Sequence, residues 1–266
     1  MVIRPVLADE AQDSNAGAVS AWQVVEAAQH ARAPDYWLIP QPAHAALAGD
    51  MAAKLRPELF GAIDATVARC IALHDAGWSA ADATVIQALH SPKAGKSRPV
   101  SFLDVAPNEA IKAWTTSIEI AEKFAPIGGY LVSCHFTRLA ATYGKDRPGA
   151  KPFIAREAKR RQQILLGLNQ SKEQLDRLVD ALQFCDLLSL YLCCGARKKA
   201  LITIGGISVE ISSSEGGYKL SPSPFAGPQQ FNFPALSLSG APKQKLSGGS
   251  APLSPREGNA IFYINL

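Results

Sequence analysis

A chain of 266 residues can bury a sizeable core, either as one large domain or as a main domain with a small appendage. Apolar residues make up 47% and charged residues 19%, which excludes disorder for the bulk of it. The formal charge of +4 suits an anionic ligand, but the basic clusters Lys93/Lys96/Arg98, Arg156 to Arg161 and Arg197 to Lys199 lack the dense, aromatic-interleaved face of a nucleic-acid binder and read as solvated surface.

The first stretch, 1-MVIRPVLADEAQD-13, turns acidic before it can build the apolar core of a secretion signal. No apolar run approaches the roughly 18 residues that span a bilayer, so no membrane contact is expected. Five cysteines (Cys70, Cys134, Cys185, Cys193, Cys194) form no CxxC pair and read as reduced, buried, small apolar residues. A cytoplasmic location follows as the expectation.

From about residue 20 to 200 the pattern is helical. A helix opening at Pro42 carries the apolar stripe His44, Leu47, Ala48, Met51, Leu55. The segment 61-GAIDATVARCIALHDAGW-78 is striped Ile63, Val67, Cys70, Ile71, His74, with Gly77 available as its C-terminal cap. Next, 130-YLVSCHFTRLAATYG-144 is striped Val132, His135, Leu139 and should stop at Gly144. A fourth helix opens at Ser171, with Gln174 completing a capping box, and its stripe is Leu175, Val179, Leu182, Asp186, Leu190, Cys193. After residue 200 the character changes to short alternating runs, 202-ITIGGISVEIS-212, 230-QFNFPALSLS-239 and 260-AIFYINL-266, with 240-GAPKQKLSGGSAPLSP-255 as a mobile loop. The fold class expected is mainly α: a helical bundle over 1–200 with a small C-terminal strand-and-loop extension over 201–266 packed on it.

Two of these stripes pose an electrostatic problem. Asp186 is flanked by Phe184, Cys185, Leu187 and Leu188, and an unpaired carboxylate there would cost several kcal/mol. Asp75 stands where a helix ends, against the negative end of the helix dipole. No lysine or arginine shares those stripes, whereas histidines do, and imidazole with carboxylate is a common ligand set for a divalent transition metal. A lone core histidine is more often bonded to a carbonyl, and a lone buried aspartate more often caps a helix. Three stripe histidines, a stripe aspartate and a His-Asp pair, in a chain with five histidines, point instead to a metal.

The order His44, His74-Asp75, Asp186 resembles the H…HD…D signature of the HD-domain superfamily of metal-dependent phosphohydrolases, an all-α fold. The phrases QPAHAALAG, HDAGW, LVSCHF and CDLLSLYLC are similar to a bacterial HD-like family of unknown function, over nearly the whole chain. The resemblance implies that His44, His74, Asp75 and Asp186 hold a divalent ion, one of manganese, iron, cobalt, nickel, zinc or magnesium. It implies cleavage of a small phosphate ester or nucleotide, with Asp75 orienting the nucleophile. His135 would transfer a proton or contact phosphate, and Arg138 would hold a phosphate unless it makes a surface salt bridge. Trp78, beside the site, is a candidate substrate contact.

Ala76, Gly77 and Trp78 stand where many such enzymes carry an acid after the His-Asp pair. Two-metal members have two further histidines between the His-Asp pair and the last aspartate; only His90 and His135 stand there, and His90 lies at a helix end before Ser91-Pro92, so one metal is expected. The alternatives are an inactive metal- or ligand-binding module and a di-iron oxygenase. Two other motifs fail: 94-AGKS-97 lacks the glycine a phosphate loop needs at position 90, and 205-GG-206 reads as a bulge within a strand.

Overall fold

A computed structural model describes residues 1–6, 17–89, 98–143, 148–239 and 259–266. His90, Lys93, Lys96, the 94-AGKS-97 stretch, the stop at Gly144 and the loop 240–255 lie outside the described residues. In chain order the elements are β1 (Val2–Val6), β2 (Val19–Ser20), α1 (Ala21–His30), β3 (Asp35–Ile39), α2 (Gln41–Ala52), α3 (Pro57–Phe60) and α4 (Ala65–Ala72). A single 3-10 turn at Ala76–Trp78 leads into α5 (Ser79–Leu89), α6 (Pro107–Phe124), α7 (Pro126–Tyr143), α8 (Ala150–Leu165) and α9 (Lys172–Cys193). The chain then continues as β4 (Ala200–Ile204), β5 (Ile207–Ser214), β6 (Gly217–Ser221), β7 (Gln230–Ser239) and β8 (Asn259–Asn265).

These strands overturn the mainly helical fold with a minor extension. They form two four-stranded sheets, ordered β1-β3-β7-β8 and β2-β4-β5-β6. The first is antiparallel throughout: β3 pairs with β1 on one side (Val2 opposite Ile39) and with β7 on the other (Tyr36 opposite Leu238). In the second, β2 runs parallel to β4 and the remaining pairs are antiparallel. Each sheet therefore joins strands from before the helices to strands from after them.

Local rules set several boundaries. Asp64 caps α4, its side chain accepting from the Val67 amide at 2.8 Å. The capping box at the start of α9 is formed, with Gln174 Oε1 accepting from the Ser171 amide at 2.8 Å and Ser171 Oγ accepting from the Gln174 amide at 3.2 Å. Gly205 and Gly206 are not a bulge. They take φ of +57° and +80° and make the two-residue turn between β4 and β5, whose register closes on Ile204 opposite Ile207.

The core runs along α9, which packs against α1, α2, α7 and β4 and buries Phe184 against Phe60 with ring centroids 5.2 Å apart. All five cysteines are free, four of them buried and Cys134 half-buried. No helix among the described residues is long and apolar enough to cross a membrane. Beside α9, α2 lies unusually close to α4. A Cβ on Gly49 would come within 2.5 Å of Ala72 Cβ and 2.8 Å of Ala68 O, so only glycine permits this spacing.

Candidate metal centre

That close approach determines where the polar side chains of α2 arrive. His44 lies in the first turn of α2, and α2 is tied at its start by the Gln41 amide donating to Asp82 Oδ2 at 2.6 Å. The helix read over 61–78 in fact ends at Ala72. Residues 73–76 continue as tight i to i+3 turns, with the His74 amide donating to Ile71 O at 3.1 Å and the Ala76 amide to Leu73 O at 3.0 Å. Gly77 does not cap that helix by a left-handed turn. A Cβ there would collide with Ala113 O and stand 2.6 Å from the Ser117 amide nitrogen, while the Gly77 amide donates to Ser117 Oγ at 2.9 Å. The glycine thus lets the His-Asp segment press onto the backbone of α6.

His135 comes from the middle of α7 and Asp186 from α9. The ring centroids of His44 and His74 are 5.2 Å apart and those of His74 and His135 5.4 Å, so His74 stands in the middle. All three histidines are buried. The carboxylates are slightly more open, with 8% side-chain exposure for Asp75 and 12% for Asp186. The two acids are thus the least buried members of the cluster.

The hydrogen bonds assign the histidine protons. Ser189 Oγ donates its one proton to Asp186 O at 2.8 Å, so at 3.0 Å from His44 Nδ1 it must accept, and His44 carries a proton on Nδ1. His74 Nδ1 donates to Ile71 O at 2.8 Å. Both Nε2 atoms then turn to carboxylate oxygens: His44 Nε2 lies 2.8 Å from Asp75 Oδ2, and His74 Nε2 lies 3.2 Å from Asp186 Oδ1 and 3.8 Å from Asp75 Oδ2. A bare nitrogen lone pair facing an anionic oxygen is repulsive, so each contact calls for a cation between or upon the two atoms.

The electrostatics agree. Burial is the largest influence on His74 and disfavours its imidazolium, but the charges of Asp75 and Asp186 outweigh it and lift the group to about 9. Burial also works against the Asp186 carboxylate, yet the hydrogen bond from His74 and the neighbouring imidazoles bring it down to about 2. His135 goes the other way: burial, only partly opposed by Asp186, lowers it to about 4 and leaves the ring neutral near pH 7. Its Nδ1 has no hydrogen-bond partner among the described residues, and its Nε2 lies 3.8 Å from Asp186 Oδ2. An unanchored buried imidazole is costly, and it is free to meet something that enters the site.

Two overlapping groups therefore have ligand atoms within 4.8 Å of one another: His44, His74 and Asp75, and His74, His135 and Asp186. The four residues expected as metal ligands meet, and His135 meets them. Ser189, three residues after Asp186 on α9, was not singled out in the sequence; the only hint was an i, i+3 hydroxyl on the stripe of a buried aspartate.

Two other candidates are engaged elsewhere. Arg138 Nη1 donates to Asp180 Oδ1 at 2.6 Å and to Gln183 Oε1 at 2.7 Å, so the guanidinium pairs with α9 in the salt bridge weighed against a phosphate role. Trp78 is buried in a side cluster with Ala110 and Ala113 of α6, flanked by Trp114 and Phe102. Its indole packs against α6, and its Nε1 is buried without a partner among the described residues.

Residues 27–238 match the model of a family described as "Protein of unknown function (DUF3891)", and every residue of the cluster falls inside that span. No curated protein and no solved structure matches the chain. With the match covering most of its 266 residues, the chain belongs to the DUF3891 family.

Proposed function

We propose that the protein is a metal-dependent phosphohydrolase in which His44, His74, Asp75 and Asp186 hold one divalent transition ion. The observation that carries this reading is the pair of imidazoles committed at Nδ1, each presenting Nε2 to a carboxylate oxygen. The donor set of nitrogen and oxygen suits manganese, iron, cobalt, nickel or zinc better than magnesium. One ion is favoured over two, because both ligand groups share His74 and its Nδ1 is already donating to Ile71 O, leaving a single lone pair. That weighs against a di-iron oxygenase.

Such an ion supplies Lewis-acid polarisation of a phosphoryl oxygen and a more acidic water. Around it Asp75 orients the attacking water, and the neutral His135 accepts or relays a proton. The substrate class is a small phosphate ester or nucleotide. Arg138, held by Asp180, is not assigned to bind it, and Trp78 acts by packing the His-Asp segment onto α6. A cytoplasmic setting, where five free cysteines stay reduced, accords with this reading. A second reading, a metal-holding module without turnover, draws on the burial of the cluster and the commitment of Arg138.

Metal analysis of the purified full chain, combined with a phosphatase screen on the metal-loaded protein, separates these readings. Bound metal with phosphoester cleavage supports the hydrolase. Metal without cleavage of any phosphoester supports the module, and no affinity for any of these ions ends both.

Metal uptake also has a pH signature. An ion must displace the His74 proton, so affinity is expected to rise with pH above neutrality and to level off beyond about 9. Calorimetry in buffers of differing ionisation heat should register about one proton released per ion near pH 7.5. In the metal-free protein His74 contributes its full stabilisation below its ordinary value of 6.5 and loses it as pH climbs through about 9. An affinity independent of pH would contradict the assignment of His74 as a ligand.

A further inference from the structure

Ser189 touches no carboxylate oxygen of the cluster, yet it is fully buried and occupies the one position where it can decide which nitrogen of His44 bears a proton. Its hydroxyl proton goes to Asp186 O, the acceptor one turn back along α9. Its lone pair therefore has to take the His44 Nδ1 proton. The nearest carboxylate oxygen to that nitrogen, Asp186 Oδ1, is 3.9 Å away, too far to substitute. We infer that Ser189 is a positioning residue for the metal: it holds His44 in the Nδ1–H form and so keeps Nε2 available as a ligand. The inference rests on the metal-centre reading above and adds to it the residue that makes His44 competent.

The effect of deleting the hydroxyl follows from proton bookkeeping on one ring. Without an acceptor at Nδ1, His44 gains by placing its proton on Nε2, where Asp75 Oδ2 waits at 2.8 Å. That N–H to carboxylate bond satisfies Asp75 with no cation present. The metal-free fold is then undisturbed, while an incoming ion must first reverse the tautomer. A purely structural serine predicts the opposite pattern, a weakened metal-free fold with the affinity of the folded molecules unchanged.

The test uses the full chain, with Co2+ as the probe in competition with a chromophoric chelator. Ser189→Ala is expected to lose about 10- to 100-fold in Co2+ affinity, the range found when a metal-bound histidine loses its outer partner. Ser189→Thr, whose hydroxyl can make the same two bonds, should recover most of it. Thermal melts of the metal-free forms should coincide to within a few degrees.

Nitrogen NMR of the imidazoles gives the second readout. The metal-free wild type should carry the His44 proton on Nδ1, and Ser189→Ala should carry it on Nε2 instead. Wild-type affinity in Ser189→Ala, or a bare Nδ1 in the wild type, overturns the role of Ser189 and leaves the metal centre standing. A wild type that binds no Co2+ overturns both.

Discussion

His74→Ala is expected to leave the protein unable to retain metal through purification, and any phosphoesterase activity is expected to fall to background. The loss should exceed the roughly 10- to 100-fold that removal of an outer hydrogen-bond partner costs a metal site. The reason is position: His74 Nε2 belongs to both ligand groups, so its removal breaks each of them. It also deprives Asp75 and Asp186 of the imidazolium that offsets their charge, and breaking a buried pair of this kind typically costs about 3–5 kcal/mol. His74→Ala should therefore melt earlier than the wild type even without metal. Asp75→Ala should lose metal as well, while retaining helical circular dichroism. If Asp75→Ala unfolded a chain that had never held an ion, the aspartate would be structural and the metal proposal would fall.

The second large effect lies away from the chemistry. Gly49→Leu is expected to destabilise the fold by about 3 kcal/mol, at the upper end of typical overpacking costs, because the new side chain meets Ala72 and the Ala68 carbonyl of α4. The obstacle includes backbone and cannot be relieved by a rotamer change. Any relief would separate α2 from α4 and carry His44 away from Asp75, a contact that now spans 2.8 Å. Chemical denaturation should therefore show a lower midpoint, and the molecules still folded should bind metal more weakly. A Gly49→Leu protein with wild-type stability and wild-type metal affinity would show that the helix spacing does not set the site.

The polar residues of the cluster were legible because burial makes them conspicuous. His44, His74, His135 and Asp186 lie on stripes of helical period, and an acid or imidazole on such a stripe must have a partner. Which nitrogen faced which oxygen was not legible, since that depends on Ser189, brought to His44 by helix packing, and on the local turn that offers the Ile71 carbonyl to His74. Gly77 was misread for a similar reason. A glycine just after a helical stripe suggests a left-handed cap, whereas the constraint here is the backbone of α6, far away in sequence.

The strands failed on distance too. β1 carries Arg4 and Pro5, and β3 is the short run 35-DYWLI-39, which periodicity alone does not separate from a helix turn. Their identity as strands comes from pairing with each other and with β7, some two hundred residues on. The 205-GG-206 pair was missed because a strand broken by a two-residue turn has the same composition as one interrupted by a bulge.

The pairing of β3 with β7 also constrains the order of events during synthesis. One flank of β3 is matched early by β1, but the other waits for residues 230–239 to leave the ribosome, long after the segments that carry the four ligands have emerged. Until then the growing polypeptide displays an unmatched apolar ribbon, the kind of edge that invites aggregation or chaperone capture. A nascent fragment ending just after α9 should therefore be captured by such helpers far more than the finished molecule.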